Sequence, residues 1–318
     1  MTSAVGFSPS RFLQDVEATA DLLGVDHSLP TTRRVLDAYE ESFHRGAVLW
    51  RTDDRPGGAL NYRFYDRVPI DSVDIAVRAG LLGPHSRTAG LVSAWSSLYD
   101  GSTELCDFDA VRGLVKTWVY LGGMRPVAEV LDAPGVPDTI RRHHDRFREL
   151  GLTSVRHVAV DYQHDTANLY FRTREGLGPA GVERLLALSG GGAPDAATFR
   201  DMTAFTAPDG HTFSVTLRLG TGRIERVGVY ALRLPAGRFP RVNERLAAFF
   251  RGAPSYDEEE MNAVAWSFGA GGSRYVKAER SYCGRLVELM REWNSPMTDP
   301  GEQPRVSPVA ARLPNGER

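Results

Sequence analysis

Apolar positions along the chain follow two different periods, one typical of helices and one typical of strands. Residues 9–23 and 32–44 place apolar side chains three or four positions apart, which predicts two amphipathic helices. The period then falls to two over Ala47–Thr52 and Leu60–Val68, on either side of a turn of proline and glycine. The chain therefore opens with helices followed by an antiparallel strand pair.

The same cycle recurs four more times. The later strands are predicted at Leu105–Phe108, Leu114–Leu121, Val155–Tyr162, Ala167–Arg172, Thr212–Leu219 and Arg223–Leu232, with two more inside Trp266–Tyr282. Helices are predicted between the pairs at 70–81, 88–98, 124–131, 137–150, 179–188 and 195–203, around Leu246, and at 284–293. Ten strands with helices after every pair suit a large sheet covered on one face or a closed barrel, and closure removes exposed edges.

One face of the predicted strands is apolar and suits packing against helices, whereas the other combines cations, aromatic rings and amides. The second face carries Arg51, Asn61, Arg63, Tyr65, Lys116, Trp118, Tyr120, Arg156, Asn168, Tyr170, Arg226, Tyr230, Tyr275, Lys277 and Glu279. A solvated sheet surface is one interpretation. Large aromatic side chains are costly on an open surface, however, and a barrel of roughly ten strands is wide enough to hold a ligand in its lumen.

Composition adds few constraints. The 318 residues are 42% hydrophobic and 25% charged, with a formal net charge of −2, which gives no indication of a nucleic-acid or membrane partner. The two cysteines form no metal or disulfide pattern, and no leader-like or membrane-spanning run is present. We expect a cytoplasmic protein with one domain over residues 1–294 and a flexible C-terminal tail over 295–318.

The residue types on the polar strand face also predict the kind of ligand that the lumen would bind. Clustered arginines and lysines with few carboxylates would attract an anion, most simply a phosphate or diphosphate. Aromatic walls beside that cluster suit an apolar or cationic group. Glu279 could serve there as a base. The two glycine-rich stretches do not link a strand to a helix, and no Asp-rich magnesium motif is present.

Several blocks of sequence resemble a known family. They are LWRTDD, LNYRFYDR, DFDAVRGLVKTWVYLGGMRP, VAVDYQHDTANLYFR, TGRIERVGVYAL and NAVAWSFGAGG with YVKAERSY. Over about residues 9–294 the chain resembles the soluble bacterial aromatic prenyltransferases of the ABBA fold. It is most similar to the 4-hydroxyphenylpyruvate dimethylallyltransferases of aminocoumarin antibiotic biosynthesis. The resemblance implies an α/β fold with a ten-stranded antiparallel β-barrel, a solvent-filled lumen and surrounding α-helices, acting as a monomer.

The resemblance also implies roles for individual residues. Arg51, Arg63, Lys116, Arg226 and Lys277 would hold the diphosphate of a prenyl donor, and Tyr170 and Tyr230 would add hydroxyl donors. The pocket for the prenyl group and the aromatic acceptor would be lined by Trp118, Arg156, Val158, Tyr65 and Asn168. Glu279 would be the catalytic residue, and Arg156 would anchor a carboxylate of the acceptor.

The implied reaction moves a dimethylallyl group from dimethylallyl diphosphate to a ring carbon of 4-hydroxyphenylpyruvate. Some family members bind magnesium through an aspartate on the strand that here reads Asn61-Tyr62-Arg63. Because Arg63 supplies positive charge there, we predict turnover without magnesium or another cofactor. The alternatives are a naphthalene, phenazine or other phenol as acceptor, a geranyl donor, and a non-catalytic barrel that binds aromatic or isoprenoid metabolites.

Overall fold

A computed structural model describes residues 6–84, 86, 88–173, 177–206, 210–293 and 295. Apart from Ser295, the tail predicted over 295–318 lies outside these residues. The strands are β1 Ala47–Asp53, β2 Asn61–Tyr65, β3 Thr103–Asp109, β4 Gly113–Pro126, β5 Ser154–Asp161, β6 Thr166–Arg172, β7 Thr212–Arg218, β8 Ile224–Ala231, β9 Asn262–Gly269 and β10 Arg274–Cys283.

Helices precede, separate and follow the strand pairs, as the sequence pattern predicts. They are α1 Pro9–Leu23, α2 Leu29–Ala38, α3 Glu40–Arg45, α4 Ser72–Arg78, α5 Ala89–Ser96, α6 Val127–Leu131, α7 Asp138–Arg141, α8 His144–Glu149, α9 Pro179–Leu186, α10 Ala196–Phe205, α11 Glu244–Gly252 and α12 Leu286–Glu292. In the described part of the chain, no helix has the length and apolar character needed to span a bilayer.

The ten strands form one closed antiparallel barrel. Each strand pairs with its neighbours in the chain, and β1 also pairs with β10. Arg51 therefore lies opposite Glu279 on one side and Asn61 on the other. This closure confirms the predicted barrel and gives the polar strand faces a common interior.

Helix α1 shows how the helices cover the outside of the barrel. Pro9 occupies its first turn, and Gly24 ends it in the left-handed region at φ 61°. Its buried Phe12 stacks on Trp50 of β1 with ring centroids 4.8 Å apart. The apolar strand faces and the helices thus share an outer core.

Several predicted boundaries are wrong, and the helix expected over 137–150, for example, divides into α7 and α8. The helix expected over 32–44 divides at Tyr39, whose hydroxyl donates to the carbonyl of Ser72 at 2.7 Å. Strand β4 does not end at its glycine pair but continues to Pro126, so α6 begins at Val127 rather than at residue 124. The glycine pair adopts positive φ values of 72° and 152°, which let the strand bend without ending.

The lumen has its own apolar cluster, separate from the outer core. Its buried members are Ala47, Leu49, Tyr65, Leu105, Trp118, Ala159, Tyr170, Met261, Leu286, Val287 and Met290. Three of these belong to α12, which therefore gives the lumen an apolar floor near the start of β1. The polar residues of the lumen lie beyond this floor.

Candidate active site

Two arginines and two carboxylates form an ion-pair network inside the barrel. Arg51 Nη1 lies 2.6 Å from Asp107 Oδ2, and Arg63 Nε lies 2.8 Å from Asp107 Oδ1. Arg63 Nη2 also donates to Glu279 Oε1 at 2.9 Å. The four residues come from β1, β2, β3 and β10, so closure of the barrel brings them together. Arg63 and Asp107 are buried, which strengthens their attraction.

Sequence reasoning missed Asp107. The strand Leu105–Phe108 was predicted, but this carboxylate received no role. Burial alone would raise the pKa of Asp107, yet the neighbouring cations Arg63, Arg51 and Lys116 hold it below its usual value. Its role follows from the register of the strands, because Asp107 pairs with Arg63 on β2 and with Lys116 on β4.

The chain contains only two lysines, Lys116 and Lys277, and both lie in the lumen. Burial, with repulsion from Arg51 and Arg226, lowers the pKa of Lys116 to about 8, although Asp161 lies 3.8 Å from its Nζ. Burial and the same cations lower the pKa of Lys277 well below its usual value. Both ammonium groups are therefore poorly compensated.

Arg226 completes the cluster from β8. Its guanidinium carbon lies 5.7 Å from the ring centroid of Tyr275, and Nζ of Lys277 lies 5.5 Å from the same centroid. The five cations face Asp107, Glu279 and Asp161, and Asp53 of β1 lies opposite Lys277, so cations still outnumber carboxylates. This excess of positive charge suits an anion that carries several charges, such as a diphosphate.

The depressed pKa of Lys116 predicts a pH dependence. As pH rises through about 8, Lys116 loses its proton and the cluster loses a cation, so the affinity for inorganic pyrophosphate should fall. Titration calorimetry between pH 6.5 and 9.5 measures this fall, which Lys116→Arg should shift to higher pH. Side-chain NMR of ¹⁵N-lysine protein shows only two lysine signals and gives the pKa directly. Because the pKa of Lys277 is lowered as well, the NMR titration decides, and a Lys116 signal that keeps its proton up to pH 9.5 would contradict the assignment.

A cavity with aromatic walls adjoins the cationic cluster. It has about 660 Å³ of free space, including its mouth, and is lined by Arg63, Tyr65, Trp118, Arg156, His157, Tyr170, Phe171, Arg172, Thr212, Tyr230, Leu232, Glu279 and Ser295. Trp118 and Tyr170 stack with centroids 4.4 Å apart, and Arg63 lies 4.9 Å from the Trp118 ring. Burial raises the pKa of both Tyr170 and Tyr230, so their hydroxyls stay protonated.

Most of the predicted residues meet in this lumen. The cationic cluster holds Arg51, Arg63, Lys116, Arg226 and Lys277. The cavity wall holds Tyr65, Trp118, Arg156, Tyr170, Tyr230 and Glu279. Asn168 shares the lumen face of β6 with Tyr170 and donates to Thr216 Oγ1 at 3.0 Å. Arg63 belongs to both regions, and its ion pair with Glu279 links them.

Val158 does not line the pocket, contrary to the prediction. A bulge in β5 between Val155 and His157 interrupts the alternation, so Arg156 and His157 both line the cavity. Val158 then points outward, where it pairs with Val119 and packs in the outer core. Unbroken alternation would place Arg156 and Val158 on the same face, so the bulge accounts both for the outward position of Val158 and for His157, which was not predicted as a cavity residue.

Comparison with known proteins agrees with this geometry. A family model described as aromatic prenyltransferase Orf2 matches residues 7–294. The chain belongs to this family. The aromatic prenyltransferase of Sclerotinia sclerotiorum is 52% identical over 298 residues, covering 92% of this chain and 96% of that relative. The protein is thus an aromatic prenyltransferase, which is a transferase and not a passive binding barrel.

Two further proteins are similar to this prenyltransferase, one in sequence and one in fold. The 4-hydroxyphenylpyruvate 3-dimethylallyltransferase of Streptomyces niveus is 43% identical over 289 residues, covering 91% of this chain and 89% of that relative. The crystal structure of 5-dimethylallyl tryptophan synthase from Streptomyces coelicolor, in complex with DMASPP and Trp, superposes with a TM-score of 0.54. That match is 13% identical, covers 96% of this chain and 99% of the other, and supports the fold alone.

Proposed function

We propose that this prenyltransferase transfers a dimethylallyl group from dimethylallyl diphosphate to a ring carbon of 4-hydroxyphenylpyruvate. One observation carries the proposal: Glu279 lies in the aromatic cavity and is paired with Arg63 of the adjoining cationic cluster. A base for a phenol thus lies beside a site for a leaving diphosphate. The name and 43% identity of the Streptomyces niveus relative support the acceptor and the donor.

The diphosphate would bind to the cationic cluster. Its oxygens would take over contacts that Arg51 and Arg63 make with Asp107 and Glu279, and would compensate the buried charge of Lys277. As the C–O bond of the donor breaks, negative charge grows on the diphosphate, where fixed cations stabilise it most effectively. The protonated hydroxyls of Tyr170 and Tyr230 are available as further donors.

The allyl group would leave into the aromatic part of the cavity. Trp118 and Tyr170 form a stacked wall there, with Tyr230 5.9 Å from Tyr170 between ring centroids. The faces of these rings favour a cation and the wall shields it from water, so the electrophile would survive until it meets the acceptor.

The acceptor ring would then form the new C–C bond ortho to its hydroxyl. Glu279 would hydrogen-bond the phenol and accept its proton, which raises the nucleophilicity of that ring carbon. The ring carbon then loses its proton to the released diphosphate, which restores aromaticity, and Glu279 returns its proton to the phenol oxygen. Arg156 lines the same cavity and has a buried Nε without a hydrogen-bond partner among the described residues, so it is suited to hold the carboxylate of the acceptor.

An acceptor panel tests the substrate. Purified enzyme with dimethylallyl diphosphate should give the highest kcat/KM with 4-hydroxyphenylpyruvate, because that molecule matches both Glu279 and Arg156. A naphthalenol and a hydroxyphenazine that lack a carboxylate should react more slowly. A higher kcat/KM for either of them would contradict the proposed acceptor, and a parallel series with geranyl diphosphate tests the donor.

Turnover should not require magnesium. Arg63 places a buried guanidinium beside the expected diphosphate site, where it can neutralise charge that a divalent cation neutralises in other phosphoryl sites. We expect the same initial rate of product formation in 5 mM magnesium chloride and in excess EDTA, as followed by liquid chromatography. Activity that EDTA abolishes and magnesium restores would contradict this prediction.

A further inference from the structure

We propose that His157 binds the 2-oxo group of the acceptor, so that the enzyme selects a 2-oxo acid over an amino acid or an unsubstituted propanoate. The inference rests on the proposed function and extends it to the side chain of the acceptor.

The bulge places two consecutive side chains in the cavity. Arg156 is the extra residue between Val155 and His157, and the ring of His157 lies next to those of Tyr120 and Tyr170. An acid held by Arg156 would therefore present its next carbon atom close to His157. In an arylpyruvate that carbon bears the 2-oxo group.

The imidazole has a free hydrogen-bonding atom. Nε2 of His157 is buried and has no hydrogen-bond partner among the residues that the structure describes. Leaving such an atom unpaired costs stability, so a buried polar atom that lines a cavity is well suited to pair with a ligand. With its proton on Nε2, the ring would donate to an oxo oxygen.

The surrounding charges favour an oxo group over an ammonium group. Burial and the nearby Arg156, Arg67 and Arg63 lower the pKa of His157 well below its usual value, so the ring is neutral at pH 7. The guanidinium carbons of Arg67 and Arg156 lie 3.4 Å and 5.3 Å from the ring centroid of Tyr120. An α-ammonium group would meet repulsion from these cations, whereas a carbonyl oxygen would not.

The test pairs a substrate change with a side-chain change. We would measure kcat/KM for 4-hydroxyphenylpyruvate, 3-(4-hydroxyphenyl)propanoate and tyrosine in the wild-type enzyme and in His157→Phe and His157→Gln. The wild type should prefer the oxo acid over the propanoate by roughly tenfold, as expected for one hydrogen bond to a buried group. His157→Phe should bring that ratio near one, and His157→Gln, which keeps an N–H donor, should retain part of it.

His144→Phe is the control, because His144 lies on α8 outside the cavity; it should leave the ratio unchanged. Circular dichroism and pyrophosphate binding check that each variant folds. An equal ratio in wild type and His157→Phe would overturn the inference. Should His157→Phe not fold, a wild-type ratio near one or loss of selection in His157→Gln would overturn it. If the wild type prenylates none of the three acceptors, the proposed function itself fails.

Discussion

Replacing Glu279 by glutamine lowers kcat by about 100-fold or more, on the scale of general acid–base catalysis, while the donor still binds. Glutamine keeps the size of the side chain and can still accept a hydrogen bond from Arg63, but it cannot take the proton of the phenol. The substitution removes the carboxylate charge that lies 2.9 Å from Arg63, between Glu279 Oε1 and Arg63 Nη2. The affinity for pyrophosphate should therefore stay the same or rise slightly. Steady-state kinetics and titration calorimetry measure the two effects separately.

Glu225→Gln provides a matched control for this substitution. Glu225 is also a barrel carboxylate paired with arginines, Arg218 and Arg223, but it lies near the turn between β7 and β8 and does not line the aromatic cavity. We expect kcat to remain near the wild-type value. An unchanged kcat in Glu279→Gln would remove Glu279 from the mechanism.

Lys277→Met should lower the catalytic rate and raise the thermal stability of the protein at the same time. The half-buried ammonium lies near Arg51, Arg226 and Lys116, and no carboxylate lies within 4 Å of it among the described residues, although Asp53 on β1 is its cross-strand neighbour. Removing it should raise Tm by about 2 °C or more, on the usual scale for a gain near 1 kcal/mol in a protein of this size. It should also lower kcat by about 10²- to 10³-fold, as expected for loss of one group that stabilises transition-state charge.

The stability gain should depend on pH. Because the folded protein lowers the pKa of Lys277, the unfolded chain binds more protons below pH 10.5, and the wild type gains stability as pH rises toward that value. The increase in Tm of Lys277→Met over the wild type should therefore be larger at pH 7 than at pH 9.5. Thermal unfolding of both proteins at the two pH values measures it.

Lys116→Met is the natural comparison. Lys116 has Asp161 as a partner at 3.8 Å, so its removal also leaves that carboxylate with less compensation, and the gain in Tm should be smaller than in Lys277→Met. A smaller gain in Lys116→Met than in Lys277→Met would support the charge distribution described for the lumen. A lower Tm in Lys277→Met would contradict it.

The sequence predicts the barrel well because most of its strands alternate between apolar and polar residues and most strand pairs are joined by a turn that contains glycine. Alternation alone placed Lys277 and Glu279 on one face of β10, as the structure has them. It could not establish that Arg51 pairs with Glu279, because that contact joins strands more than 200 residues apart in the chain. Closure depends on pairing of the first and last strands, which no local pattern encodes.

The lumen was less predictable at two points, for different reasons. The bulge in β5 adds one residue, so Val158 points outward and His157 points into the lumen. No pattern in the residues around Arg156 predicts this bulge. Asp107 lies between the buried Cys106 and Phe108, and only the register with Arg63 and Lys116 reveals its partners. The first error concerns which face a residue takes, since a shift of one residue reverses every side chain, and the second concerns a contact between strands.

The central claim is that one lumen joins a diphosphate site to a phenol-activating base. The most direct test incubates the enzyme with dimethylallyl diphosphate, 4-hydroxyphenylpyruvate and EDTA, and determines the product by NMR. We predict a new C–C bond at the ring carbon ortho to the hydroxyl, with one diphosphate released per product. An allyl ether at the phenol oxygen, or diphosphate release with the acceptor unchanged, would contradict the account.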